Sequence, residues 1–84
     1  MNAKYTGKDN YGRPKSEYLA KIAAMHDEAL EGETYQMIYH SARCYNNQRA
    51  DWHWMVDACY DECKKRPGDI YQKAWDDCYR EHAR

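Results

Sequence analysis

The sequence lacks phenylalanine and is poor in aliphatic side chains. A chain with so few leucine, isoleucine and valine residues would be disordered if its charge were also one-sided, but 13 basic residues here balance 14 acidic ones. Nine tyrosines and three tryptophans compensate, because aromatic rings bury large apolar areas. We therefore expect an aromatic core whose gaps are filled by Ala, Met and Cys. The aliphatic residues are Leu19, Ile22, Leu30, Ile38, Val56 and Ile70.

A long apolar run and an excess of one charge are also missing. No stretch of about 18 apolar residues is available to cross a bilayer, and Met1 to Tyr5 lack the apolar centre typical of a signal peptide. This pattern predicts a cytoplasmic protein without a membrane partner. The net charge of −1 gives no long-range attraction toward phosphates, so nucleic acid binding is not favoured.

Enzyme signatures are absent from the sequence. The four glycines are scattered at predicted turns and form no phosphate-binding loop. The cysteines fall in the middle of predicted helices, away from the strand-to-helix turns that usually expose a nucleophile. Acidic residues such as Asp76 and Asp77 recur at a spacing typical of solvated helix faces. The sequence therefore predicts a protein that is not an enzyme and carries no cofactor.

Apolar side chains recur at helical spacing through most of the chain. The pattern predicts a first helix from near Pro14 to Glu31, stopped by Gly32, and a second helix capped by Thr34 that ends at the turn beginning with Asn46. A third helix, capped by Asp51, runs to about Arg66, and a fourth follows the Pro67-Gly68 breaker.

Short connections between these helices favour antiparallel neighbours. Residues 1–13 have neither helical nor alternating periodicity and are predicted to be a flexible N-terminal arm. The predicted fold is all-α, a small antiparallel bundle of three to four helices that residues 14–84 form as a single helical domain.

The third and fourth helices share a pattern at an offset of 19 residues, aromatic-x3-[VW]-D-x-C-Y-x-E-[CH], which begins at Trp52 and again at Tyr71. We interpret it as a product of packing, with a duplicated functional unit as the alternative. At about 100° per residue, each copy places four side chains on one stripe. The stripes are Trp52, Val56, Cys59 and Cys63 on one helix, and Tyr71, Trp75, Cys78 and His82 on the other.

Three pairs of potential metal ligands have i, i+4 spacing: His40 with Cys44, Cys59 with Cys63, and Cys78 with His82. The last four residues form a weak zinc candidate. In an antiparallel hairpin, Cys63 and His82 lie one turn to either side of the level of Cys59 and Cys78, too far apart for bonds of about 2.0–2.3 Å to one ion. We therefore expect buried, reduced thiols and no metal, with zinc or a Cys59–Cys78 disulfide as alternatives.

Trp54 is the leading candidate for a recognition residue. On a helical projection it falls nearly opposite the Trp52 stripe, where Asp57 and Asp61 accompany it. Tryptophan and tyrosine are enriched at binding hot spots. We predict a partner-binding surface at Trp54, Asp57 and Asp61, with His40 and Cys44 as a second candidate face. The alternative is that the third helix packs on two neighbouring helices and that Trp54 contacts the second of them.

A short chain rich in Tyr and Trp and without a catalytic signature resembles small phage-encoded accessory proteins that bind and block a host enzyme. The resemblance is one of composition and involves no motif. It implies a non-enzymatic helical protein that binds and modulates or inhibits a larger protein. Because small domains often need a partner for stability, a homo-oligomer is also an expectation.

Two alternatives remain at this level. One is a helical module stabilised by zinc at the four candidate ligands. The other is a nucleic-acid-associated protein whose N-terminal arm combines basic and aromatic side chains. Those side chains are Lys4, Tyr5, Lys8, Tyr11, Arg13 and Lys15.

Overall fold

The computed structural model describes residues 7–82, which contain four α-helices. They are α1 (Lys15–Ala23), α2 (Asp27–Arg43), α3 (Asp51–Lys64) and α4 (Ile70–His82). Within this range no strand is present, and one isolated antiparallel bridge joins Lys8 to Pro14. The predicted all-α bundle is confirmed. In the same range, no helix has both the length and the apolar character that crossing a bilayer requires.

The break between the first two helices lies before Asp27 and not at Gly32. His26 caps α2, because its Nδ1 accepts a hydrogen bond from the backbone N–H of Ala29 at 3.4 Å. Gly32 lies inside α2. Thr34 is buried there and donates its hydroxyl proton to the Leu30 carbonyl at 2.7 Å, so the predicted cap at Thr34 is wrong. The cap at His26 lets α2 begin before Gly32, and the low helix propensity of one glycine is not enough to end the helix there.

Asp51 does not cap α3. The N-cap position belongs to Ala50, and Asp51 is the first helical residue. Its carboxylate instead accepts hydrogen bonds from the Asn10 backbone N–H at 3.2 Å and from the Trp54 indole N–H at 2.9 Å. Asp51 therefore connects the N-terminal segment to an aromatic ring of α3.

Part of the predicted arm is attached to the bundle. Its residues 1–6 lie outside the described part of the chain. From Gly7 onward, the chain forms a turn in which the Asp9 carboxylate accepts from the backbone N–H groups of Tyr11 and Arg13, each at 2.9 Å. The Asn10 side chain donates to the Arg49 carbonyl at 2.8 Å. This turn is thus hydrogen-bonded to the segment that leads into α3.

The core consists of two clusters arranged around α2, which packs against both α3 and α4, while α1 packs against α3. Tyr18 is the sole aromatic ring among the buried residues described, so the expected aromatic core is only partly right. The other rings flank the core, where their polar atoms reach partners or water. The first cluster contains Tyr18, Ile22, Leu30, Met37, Ala58, Cys59, Cys63 and Ile70; the second contains Ile38, Ala74 and Cys78.

The guanidinium of Arg66 joins three helix ends. It donates to the Ile22 and Ala23 carbonyls at the end of α1, at 3.2 and 3.3 Å; the Ile22 carbonyl also accepts from the backbone N–H of Met25 at 3.1 Å. It also donates to Asp27 at the start of α2 and to Glu62 near the end of α3, at 3.2 and 3.1 Å. One side chain, 14% exposed, therefore fixes how these three helices meet.

Candidate functional site

The two cysteines of α3 are buried and hydrogen-bonded. The Tyr18 hydroxyl donates its proton to Glu33 at 2.6 Å, so the Cys59 thiol, 3.4 Å away, is left to donate to the Tyr18 oxygen. The Cys63 thiol lies 3.7 Å from the Thr34 hydroxyl. Burial raises the pKa of both thiols. Both are therefore held as thiols, which makes them weak nucleophiles and weak metal ligands.

The four residues of the weak zinc candidate are not brought together. Cys59 and Cys63 belong to the first core cluster, whereas Cys78 packs in the second and His82 lies at the end of α4. Across residues 7–82, no group of three or more His, Cys, Asp or Glu side chains is arranged to hold a metal ion. All four cysteines are unbridged, Cys59 and Cys78 included.

Trp54 packs against a second neighbouring helix, which is the alternative to a free recognition residue. Its ring meets that of Tyr18 edge to face at a centroid distance of 5.6 Å, and the Lys15 ammonium lies 5.2 Å from the indole. The reason is that α1 covers the side of α3 that the helical projection left open. Of the two carboxylates predicted to accompany it, Asp57 is exposed and Asp61 is half-buried.

The second predicted face, at His40 and Cys44, contacts α3. The His40 imidazole stacks on the Trp52 indole, with centroids 4.5 Å apart and 25° between the planes. Cys44 is half-buried, and its carbonyl lies 3.0 Å from Nε2 of His53. These two residues therefore help to hold the end of α2 against the start of α3.

His53 holds the connection between α2 and α3 through its hydrogen bonds, and the sequence patterns did not single it out. Its Nε2 lies within 3.0 Å of two carbonyl oxygens, those of Cys44 and Asn47, so this nitrogen carries a proton and donates. Its Nδ1 lies 2.6 Å from the Ser41 hydroxyl, which donates to it when the imidazole is neutral. The imidazole thus fixes the α2–α3 connection.

A solvent-open groove of about 400 Å³ lies along the contact between the C-terminal half of α2 and α4. Trp75 and Tyr79 form one wall and are 44% and 62% exposed. Their rings are stacked, with centroids 6.4 Å apart and 27° between the planes. The groove is lined by Ile38, Tyr39, Ala42, Arg43, Trp75, Cys78, Tyr79 and His82. We refer to it as the α2–α4 groove.

One end of the α2–α4 groove is polar. The Arg43 guanidinium donates to the Tyr39 hydroxyl at 2.8 Å, and the His82 ring packs against the Tyr39 ring with centroids 4.5 Å apart. The Tyr35 hydroxyl donates to Glu81, which raises the pKa of Tyr35 to about 12. Because the Tyr35 hydroxyl donates its proton to Glu81, the Nε2–H group of His82, 2.7 Å away, donates to the Tyr35 oxygen. These contacts anchor the end of α4 to α2.

Trp75 lies outside the buried face of α4, unlike its counterpart in the sequence repeat. The alignment matches it with Val56, which is half-buried between the two core clusters. The buried stripe of α4 is instead Ile70, Ala74 and Cys78, rotated from the predicted one, because α4 rests mainly on α2. The i, i+4 spacing of Trp75 and Tyr79 places both rings on one face of α4 but does not indicate that this face is exposed.

The basic N-terminal segment of the nucleic acid alternative is described only in part, and its Lys8 and Lys15 line one cavity together with Arg49. Lys4 and Tyr5 lie outside the described residues, and Lys15 is engaged with the Trp54 ring. Lys8 and Arg13 are exposed on the N-terminal turn.

Comparison with protein-family models, with curated proteins and with solved structures finds no match for this chain. The indications of function therefore come from its own surface. On that surface, Trp75 and Tyr79 stand out because they are two large exposed rings that line the same cavity.

Proposed function

We propose that this chain is a non-enzymatic helical protein that acts by binding a larger protein through the α2–α4 groove. The observation that carries the proposal is the exposed, stacked pair Trp75 and Tyr79 beside an apolar cavity. Aromatic rings in such positions are common anchors of protein interfaces, because they bury much area at a small entropic cost.

The chemistry of the thiols supports a binding role over a catalytic one. Burial raises the pKa values of Cys59, Cys63 and Cys78, so a thiolate is disfavoured at each of these positions. Inhibition is the mode of action that we favour, and its support is the compositional resemblance to accessory proteins that block a host enzyme. A zinc-stabilised module is not favoured, because its four candidate ligands lie apart.

The size of the groove is also consistent with a specific contact. Pockets for small molecules typically measure roughly 300–1,000 Å³, so the α2–α4 groove, at about 400 Å³, has room for a large side chain of a partner. Most of its wall is apolar, and Arg43 and His82 provide polar groups at one end. An apolar surface with a few placed polar groups favours orientation of the bound partner as well as burial.

Affinity capture from a lysate of the source organism tests the proposal. Three baits are compared by quantitative mass spectrometry: the unaltered chain, the double variant Trp75→Ser/Tyr79→Ser, and Tyr60→Ser. Tyr60 is a matched control because it is 43% exposed but lies on α3, outside the groove. We expect a protein that the unaltered chain and Tyr60→Ser retain and that the double variant loses. Identical protein sets on all three baits would contradict the proposal.

A further inference from the structure

Among the described residues, no acidic side chain lines the α2–α4 groove. None of its eight lining side chains is a carboxylate, and Arg43 provides a permanent positive charge at the rim. The groove therefore combines an apolar wall with a cationic end.

Arg43 has unused donors. A guanidinium carries five N–H groups, and among the described residues Arg43 makes one side-chain hydrogen bond, from Nη1 to the Tyr39 hydroxyl. In the range 7–82, no carboxylate forms an ion pair with Arg43. Arg43 also lies in the last turn of α2, where its charge interacts favourably with the helix dipole. That interaction leaves the N–H groups of the guanidinium available to a carboxylate.

The Tyr39 ring holds the guanidinium in place. The Arg43 carbon Cζ lies 5.5 Å from the centre of that ring, and the hydrogen bond to the hydroxyl fixes its outer end. Tyr39 in turn packs against His82 and so against α4. A cation held in this way loses little freedom when it pairs with an incoming carboxylate.

We propose that the α2–α4 groove binds a short segment of the partner protein that carries a large apolar side chain close to an Asp or Glu. The apolar side chain packs between Trp75 and the α2 wall at Ile38 and Ala42. The carboxylate pairs with the free donors of Arg43. This inference rests on the function proposed above and specifies the chemistry of the partner.

A selection experiment tests this chemistry without knowledge of the partner. A random dodecamer peptide library displayed on phage is selected on the unaltered chain and counter-selected on Trp75→Ser. We expect enriched peptides in which an aromatic or large aliphatic residue lies near an acidic one. Enrichment of peptides that lack an acidic residue, or no enrichment at all, would overturn the inference.

The selected peptide and its amide counterpart, with Glu replaced by Gln or Asp by Asn, then serve as matched probes in fluorescence anisotropy. Trp75→Ser should weaken binding of the acidic peptide about thirtyfold, as expected for a hot-spot residue. Arg43→Gln should weaken it about fivefold and leave the amide peptide unaffected. Lys73→Gln is the control, because it removes an exposed charge of α4 that does not line the groove.

Two results would contradict the chemistry directly. One is an equal loss for the acidic and the amide peptide with Arg43→Gln. The other is a dimer in sedimentation velocity that Trp75→Ser converts to a monomer, since the groove would then be occupied by a second copy. If lysate capture depends on Trp75 and Tyr79 while the peptide results fail, the proposed function stands and this inference falls. Circular dichroism confirms that each variant is folded.

Discussion

The indole of Trp54 meets the ring of Tyr18 edge to face, with centroids 5.6 Å apart and the two planes at 90°. Tyr18 is buried and donates a hydrogen bond to Glu33 of α2, so this contact joins α3 to α1 and, through the hydroxyl, to α2. Trp54 is therefore part of the packing between helices.

Replacing Trp54 by Ala should destabilise the fold. Loss of the packing, of the edge-to-face contact and of the hydrogen bond to Asp51 should lower the free energy of unfolding by about 2 kcal/mol or more. The control is Trp75→Ala, which removes the same side chain from an exposed position and should cost less than about 1 kcal/mol. Urea unfolding followed by circular dichroism measures both. Equal losses for the two variants would contradict this assignment.

Arg66→Ala should also destabilise the protein. It removes the hydrogen bonds from the guanidinium to the Ile22 and Ala23 carbonyls and the pairing with Asp27 and Glu62, which should cost about 1–3 kcal/mol. Lys65→Ala is the control, because the Lys65 side chain is 73% exposed and its ion pair with Glu62 should contribute less than about 1 kcal/mol. Similar midpoints of urea unfolding for the two variants would argue against the clamp.

Stability should decline at alkaline pH. Burial raises the pKa of the Cys59 and Cys63 thiols above the ordinary value of 9.0, so the folded state keeps protons that the unfolded state releases. This contribution is fully present below pH about 9 and is lost as the pH rises further. Urea unfolding in reducing buffer between pH about 7 and 10 measures the decline.

The double variant Cys59→Ala/Cys63→Ala is the control for the pH dependence. It should be less stable at neutral pH, because two buried side chains shrink, but its stability should fall less between pH about 8 and 10. An unchanged alkaline decline in this variant would show that other titrating groups dominate.

The sequence was sufficient to predict the helical class and the connection at Pro67 and Gly68. Helical periodicity and turn residues are local signals, and Gly68 has a φ of +91°, in the left-handed region that favours glycine. The α1–α2 boundary was missed, because a histidine cap at His26 is a weaker signal than Gly32 followed by Thr34.

The candidate site was less predictable, since exposure depends on which helices become neighbours. Trp54, the recognition candidate, is covered by α1, whereas Trp75, which the repeat aligns with the half-buried Val56, is exposed and lines a groove. Both outcomes have one cause: a helical projection gives the angle between side chains but does not say which side a neighbouring helix covers. The 19-residue repeat misled for the same reason, because its two copies, which begin at Trp52 and Tyr71, have different neighbours.

Site-specific photo-crosslinking tests the central claim, that the chain binds a larger protein through the α2–α4 groove. The photoreactive amino acid p-benzoylphenylalanine is placed at Tyr79 in one variant and at Tyr60 in another, and each is irradiated in a lysate of the source organism. We predict an adduct larger than a dimer of the chain from position 79, identified by mass spectrometry, and none from position 60. Equal adducts from both positions, an adduct of two copies of the chain, or none at position 79 would contradict the claim.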